Sequence, residues 1–394
     1  MSEWKKEKLG DYVEVLSGFA FKSKDFTSEG VPVIKIKNIS PPNVSLEDLS
    51  YVPMTIVTQN PRYILSRGDV LIAMTGSHIN QIASVVGRVG RIRYDVLSVL
   101  NQRVGKIVNK DDKKSSLDFV YYYLSQYEVK VELAQKAGGA ANQANISPKD
   151  IKDLMFPCPP VETQHRIATI LSRYESLIEN YQKQIKLLEE AAQRFYKEWF
   201  IDLRFPGHEN TKIVDGLPEG WEVKSIIDVY NFKYGKILPT KDFVKDGTIP
   251  VYGASKQIGR YSKANCFEPK VLIGSRGNAG FVHRTIEDET YVTNNSFIVE
   301  PKKEFRYLRL PYIYESLKVM DFVAICTGAA QPQLTLNSIA SLKYIIPSDR
   351  IITDYCDVSV LFFKKIAMSY KQLRLLTEAR DRLLPKLMSG EIEI

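Results

Sequence analysis

Three runs of alternating or continuous apolar residues, VPVIKIKNI at 31–39, DVLIAMTG at 69–76 and KVLIGSRG at 270–277, are rich in Val and Ile and bounded by Gly, Pro or Asn, which predicts β-strands. Residues 119–133 and 307–322 instead repeat their apolar positions at helical spacing, so each half of the chain is expected to carry one helix near its end. Proline-marked stops follow, MFPCPP at 155–160 and YIIPS at 344–348. Beyond the first stop the pattern becomes that of a long helix. Ile167, Ile170, Tyr174, Leu177, Tyr181, Ile185, Leu188, Ala192, Phe195 and Trp199 are separated by 3, 4, 3, 4, 4, 3, 4, 3 and 4 residues, with no Pro or Gly between them. Val358, Phe362, Ile366, Leu373, Leu376, Leu383 and Leu387 form a second, less regular seam. At ~1.5 Å per residue the first helix would be ~57 Å long. A seam of that length needs a cover: either the other helix, or the core of a larger bundle.

The two halves repeat each other. Trp4, Gly18, Lys24, Asp25, Phe26 and Gly30 recur as Trp221, Gly235, Lys241, Asp242, Phe243 and Gly247, shifted by 217. Gln143, Ile146, Ile151, Leu154 and Pro159 recur as Gln331, Leu334, Ile339, Leu342 and Pro347, shifted by 188. Gln184, Leu187, Leu188, Ala191 and Arg194 recur at the same shift of 188 as Gln372, Leu375, Leu376, Ala379 and Arg382. The unit is thus a globular segment followed by a helix, and its second globular segment is 29 residues shorter. The expected organisation is α+β, with a first domain at 1–160, a helix at 161–201, a polar linker at 202–220, a second domain at 221–348, and a second helix with its tail at 349–394.

Composition changes this picture little. With 394 residues, 44% hydrophobic and 25% charged, the chain has room for two or more cores. It contains no run of eighteen apolar residues, and MSEWKKEKLGDY lacks the apolar stretch of a signal peptide, so a cytoplasmic protein without a membrane span is expected. Cys158, Cys266, Cys326 and Cys356 have no paired spacing and read as free thiols. Charge is more telling. Of the net +8, residues 60–110 hold a local +6 and residues 233–284 a local +7, so basic surface collects at similar places in both repeats. That is the footprint of a phosphate-backbone binder, the bland alternative being two solvated faces.

Catalytic patterns fail on inspection. Asn60-Pro61-Arg62-Tyr63 has the outline of an amino-methylase loop, but Arg62 replaces the second Pro and no Gly-rich turn for a methyl donor accompanies it. GSRGNAG at 274–280 lacks the Lys-Ser/Thr pair of a phosphate loop. Glu268-Pro269-Lys270 and Glu300-Pro301-Lys302 resemble a nuclease acid-x-Lys, yet a central proline removes a ladder donor and marks a strand end. His78, His165, His208 and His283 show no zinc spacing. No catalytic, metal or cofactor site is expected. A self-contained nuclease or methylase with a divergent site, or an adaptor binding RNA or protein, remain the alternatives.

Recognition chemistry survives. Base edges are read by Arg, Lys, Asn, Gln and small hydroxyl residues held on a rigid support. Thr75, Gly76 and Ser77 follow one strand, while Ser275, Arg276, Gly277 and Asn278 follow its counterpart. GGAANQANI at 138–146 and TGAAQPQL at 327–334 bring Asn142, Gln143 and Asn145 against Gln331 and Gln333, residues that also make turns and caps. Further candidate contacts in the first half are Lys22, Lys24, Lys35, Lys37, Asn80, Gln81, Arg88 and Arg103. In the second half they are Lys236, Lys241, Ser255, Lys256, Arg260, Arg284, Asn294 and Asn295, the basic ones expected chiefly on phosphates.

These features resemble a known family. LLPKLMSGEI at 383–392, PPVETQHRI at 159–167, FYKEWFIDLRF at 195–205, LPEGWEV at 217–223, LGDYVEVLSGFAF at 9–21 and the doubled Gly/Ala-amide loop look like those of type I restriction-modification specificity subunits, over essentially the whole chain. The resemblance implies two target recognition domains, at 4–159 and 217–347, each reading one half of a split double-stranded DNA sequence. It also implies two long helices, at 162–200 and 352–388, packed as an antiparallel coiled coil in a pseudo-twofold duplication. These helices would set the spacing and dock two methyltransferase subunits, through which restriction subunits join. Cleavage and methylation would belong to those partners. PSDRIITDY at 347–355 departs from the PPVETQHRI pattern, which leaves the start of the second helix open by several residues.

Overall fold

The predicted strands and helices form, but mostly shorter than the pattern suggests. In the computed structural model, which describes residues 4–77, 84–138, 144–328 and 331–394, the run at 31–39 is a strand only over Val31–Ile34, then a 3-10 turn at Ile36–Asn38. The chain divides into a first unit, 1–177 with 376–394, and a second, 178–375.

The first unit contains β1 (Lys6–Lys8), β2 (Val13–Ser17), β3 (Val31–Ile34), β4 (Ile39–Ser40), β5 (Asn43–Val44) and β6 (Ser50–Val52). Next come α1 (Met54–Gln59), β7 (Ile64–Leu65), β8 (Val70–Ala73), β9 (Thr75–Gly76), β10 (Val89–Arg91), β11 (Ser98–Leu100) and β12 (Val104–Asn109). Helices α2 (Leu117–Leu124) and α3 (Tyr127–Lys136), β13 (Ala144–Asn145), α4 (Pro148–Lys152) and β14 (Met155–Pro157) lead into the long α5 (Val161–Tyr196). The helix expected at 119–133 is therefore two, broken at Ser125 and Gln126. One sheet has the order β2-β12-β8-β10-β5-β4, another β6-β3-β11-β7, and β1 pairs with β14. Their core joins Val70, Ile72, Phe119 and Phe156 to Ile167 and Leu171 of α5.

The stretch expected to be only a linker is partly structured. It makes a 3-10 turn at His208–Asn210 and a hairpin of β15 (Ile213–Val214) with β16 (Leu217–Pro218). Asp215 and Gly216 sit at φ +51° and +80°, the left-handed pair that a two-residue hairpin turn needs. Phe205 is buried against Trp221, at 5.6 Å between rings.

The second unit then follows with β17 (Glu222–Ser225), α6 (Ile226–Val229), β18 (Tyr230–Tyr234), β19 (Ile249–Tyr252), β20 (Gln257–Tyr261), β21 (Val271–Gly274) and β22 (Val282–Arg284). After these come β23 (Tyr291–Val292), β24 (Ser296–Pro301), α7 (Leu310–Lys318), α8 (Leu336–Ala340), β25 (Lys343–Ile346) and α9 (Asp349–Ser389). The sheet orders β18-β24-β21-β22 and β20-β19-β23, and the pair β17 with β25, repeat those of the first unit. Strand register identifies equivalent residues: Ser17 with Tyr234, Ile72 with Ile273, Gly105 with Phe297, and Asn145 with Gln333. The offset thus falls from 217 through 201 and 192 to 188, so the shortening is spread along the repeat rather than made at one place. The globular part of the second repeat, module 2, has no counterpart of β4–β5, α1 or α3 of the first, module 1, among the described residues.

Each unit holds part of both long helices, running antiparallel. In the first, the Arg166 guanidinium near the start of α5 donates to the Ile394 carbonyl at 3.2 Å, and Leu387 and Met388 of α9 join the core. In the second, Phe195 near the end of α5 stacks on Tyr355 near the start of α9 at 4.9 Å. The seam differs from the one expected. Leu177 and Val358 are exposed, whereas Glu175, Ile178, Ser359 and Ser369 are buried. On α5 the buried line is Leu171, Ile178, Ile185 and Ala192, a strict heptad. Glu175 interrupts the apolar pattern yet is buried because Arg93 donates to it at 2.7 Å and the Tyr121 hydroxyl at 3.2 Å. The start of α9, left open by the sequence, is at Asp349, 188 residues after Val161 and so in register with α5. Gly390, at φ +74°, follows the last residue of α9 in a left-handed C-terminal position. No helix among the described residues is long and apolar enough to cross a membrane.

Candidate nucleic-acid interface

In both modules the end of a central sheet strand meets the amide loop. After β8, Thr75 pairs with Asn145 in the β9–β13 ladder, and the Thr75 hydroxyl donates to Asn145 Oδ1 at 2.8 Å. Thr75 is buried and Asn145 exposed, so the hydroxyl orients the amide and turns its two N–H donors away from Thr75. After β21, Arg276 makes the equivalent bridge to Gln333. Backbone bonds repeat too. The Ile146 N–H donates to the Met74 carbonyl at 2.9 Å, as Leu334 does to Ser275 at 3.0 Å. The Met74 N–H donates to the Arg103 carbonyl at 3.0 Å, as Ser275 does to Asn295 at 2.7 Å. Thr75 thus corresponds to Arg276, Arg103 to Asn295 and Asn145 to Gln333. The backbone support is shared, and the side chains on it are not.

The turn after β21 is tight. A Cβ on Gly274 would lie 2.2 Å from the Asn278 carbonyl oxygen, and this folding-back lets Asn278 Nδ2 donate to Ser255 Oγ at 2.6 Å. Arg276, Asn278, Asn295 and Gln331 are exposed there, with Ser255, Asn294 and Gln333 half-buried. In module 1, Lys22, Lys24 and Arg103 are exposed, Ser77 and Arg88 half-buried. Lys236, Lys241 and Lys256 are exposed in module 2. Asn80, Gln81, Asn142 and Gln143 lie outside the described residues.

Several expected contacts have other work. Arg284 is buried, its guanidinium 4.5 Å from the Phe363 ring and 5.5 Å from Tyr314; a cation stacked inside the domain is not offered to a phosphate. Its counterpart Arg91 is equally buried, 4.2 Å from Tyr121 and 2.8 Å from the Asp118 carboxylate. Ser275 is buried and serves through its backbone. Arg260 donates to the Gly247 and Thr248 carbonyls at 3.1 and 3.3 Å. Lys35 is half-buried over the Phe26 ring, donates to Ser50 Oγ at 2.8 Å, and is pushed below the usual lysine range by burial. Lys37 is exposed but ion-paired with Asp48. The doubled buried arginine was missed because sequence alone does not separate a stacked guanidinium from an exposed one. Its signal was Arg91 and Arg284 recurring with Tyr121 and Tyr314 at one offset.

The four cysteines are free thiols, and no group of three or more His, Cys, Asp or Glu among the described residues could hold a metal ion.

The family pattern for the type I restriction modification DNA specificity domain matches residues 1–190 and again 218–358. The MjaIX type I restriction enzyme specificity subunit of Methanocaldococcus jannaschii is 25% identical, over all of this chain and 94% of its own. The HindI specificity subunit of Haemophilus influenzae is 22% identical over 66% of this chain and 73% of its own. In fold, the chain matches the crystal structure of the type I restriction-modification system S subunit from M. genitalium with a TM-score of 0.64 at 19% identity, covering 98% of this chain and 96% of that one. With that pattern matched once in each repeat and over most of its length, the chain belongs to the non-catalytic specificity subunits of type I restriction-modification systems.

Proposed function

We propose that each module reads one half of a bipartite double-stranded DNA sequence. On this reading α5 and α9 set the gap between the halves and dock two methyltransferase subunits, through which restriction subunits join, in the cytoplasm. The observation that carries it is the pair of matched loops on one backbone plan with different polar side chains. Arg276, Asn278, Asn295 and Gln331 read bases in module 2, and Asn145 with Arg103 does so in module 1. Because the two sets differ, the two half-sites differ in sequence. The exposed Lys22, Lys24, Lys236 and Lys241 grip phosphates, where charge rather than shape decides.

The test is the methylated motif in cells carrying the chain with its methyltransferase. Arg276→Ala or Gln331→Ala removes a contact worth roughly 1–3 kcal/mol, so one half of the motif should relax while the other stays fixed. Equal change in both halves would contradict the division of labour.

A further inference from the structure

Module 1 covers one flank of its sheet with its own chain. The β4–β5 hairpin lies against β10, with Asn43 paired to Arg91. The Arg91 backbone N–H donates to the Pro42 carbonyl at 3.0 Å, and the Tyr121 hydroxyl, its one proton shared with Glu175, lies 3.2 Å from the same carbonyl. Ile39 and Val44 of the hairpin are buried. Register shows how much of this module 2 lacks. Val33 faces Ser50 across 17 residues of sequence, whereas the equivalent Val251 faces Gly259 across only 8. The shorter connection closes as a turn in which the Gly253 N–H donates to the Lys256 carbonyl at 2.9 Å. Arg284 and Tyr314 stand where Arg91 and Tyr121 do, but β22 is the last strand of its sheet. Beside it lies a groove of about 1130 Å³, lined by Val282–Arg284, Tyr252, Tyr314, Val323 and Met368 of α9.

We infer that this groove takes an extended segment of the methyltransferase subunit, which adds to β22 as a strand. The inference rests on the docking reading above. A strand edge presents alternating N–H and C=O groups, which a peptide backbone satisfies and a phosphate chain, bearing acceptors only, does not. The charges lining the groove are mixed, Lys256, Lys318 and Lys371 against Glu287, Asp288 and Asp321, unlike the one-sign surface that a nucleic acid seeks. The hairpin that fills this place in module 1, Ile39-Ser40-Pro41-Pro42-Asn43-Val44, sets the chemistry of the occupant: short, extended and apolar at its ends. Its source follows from continuity. Met368 belongs to an exposed apolar line on α9 with Leu361 and Leu375, seven residues apart and so on one face of the strut assigned to methyltransferase docking.

The experiment uses the full chain and the purified methyltransferase subunit. Met368→Glu and Val323→Glu alter groove residues that are 63% and 64% exposed, so folding is not at stake. Each should weaken binding about tenfold or more. A chain with residues 35–49 grafted in place of 253–258, which restores the 17-residue separation of module 1, fills its own groove and should lose the same affinity. Hydrogen exchange at Val282–Arg284 should slow when the methyltransferase subunit is added and stay unchanged with a DNA duplex alone. Binding unchanged by both substitutions and the graft, or protection by duplex alone, overturns the inference while leaving the DNA-reading role intact. If the unmutated chain bound no methyltransferase subunit, the docking reading would fall, and the groove assignment with it.

Discussion

Single residues carry the duplication most sharply at Gly18 and Gly235. A Cβ there would lie 2.3 Å from the Asn101 carbonyl oxygen and 2.4 Å from that of Thr293, backbone atoms that cannot move aside. Gly235→Ala should therefore destabilise module 2 by at least about 2 kcal/mol in thermal unfolding. Gly277→Ala, left-handed but with nothing near its Cβ, should cost only about 1 kcal/mol. Glu315 gives a prediction in pH. It is buried with Oε2 unpartnered among the described residues, and burial pushes its carboxyl from 4.5 up to about 7, outweighing the lowering by Lys318 and Arg284. Below pH 4.5 it is protonated folded or unfolded. Between 4.5 and 7 the unfolded chain gives up the proton first, so stability falls as pH rises, by about 3 kcal/mol in all. Glu315→Gln should raise the melting temperature at pH 8 and scarcely change it near pH 4.5; a gain of equal size at both would refute the account.

Among the elements, the strand runs and the two long helices were legible because each has one dominant period. What escaped was local. The polar Glu175, Ser359 and Ser369 occupy buried helix positions that an apolar pattern skips, and Ser125 with Gln126 breaks a helix whose apolar spacing runs through the break. The Asp215-Gly216 hairpin was signalled by its letters, but the polar stretch around it masked the signal. The candidate interface was half legible: the amide loops and the strand ends singled out in the sequence do meet in the structure, while Arg284 is buried, because charge does not reveal burial. The observed heptad makes a test of spacing possible. Seven residues inserted after Leu188, with seven more after Tyr370 opposite it, preserve the seam and add ~10.5 Å. At ~3.4 Å per base pair, methylome sequencing should show a gap about three base pairs longer. A four-residue pair of insertions would break the heptad phase and should weaken the helix pairing instead.

For the whole molecule the question is which part of its net +8 grips DNA and which part merely keeps the surface solvated. Lys24 and Lys241 recur in matching 3-10 turns, Ser23–Asp25 and Thr240–Asp242, and both are exposed. A repeated exposed cation on a repeated scaffold fits a feature both half-sites share, the phosphate backbone, better than one in which they differ, the bases. The two kinds of contact separate by experiment. Lys22→Ala with Lys24→Ala, measured in the complex with the methyltransferase across 50 to 200 mM salt, should lower the slope of log affinity against log salt by about 2, since each phosphate contact contributes ~0.9. The methylated motif should not change. An unaltered slope would make these lysines a solvated face, and an altered motif would make them base readers. The expected result, a lower slope with an unchanged motif, leaves the reading of sequence to the residues that the two modules do not share.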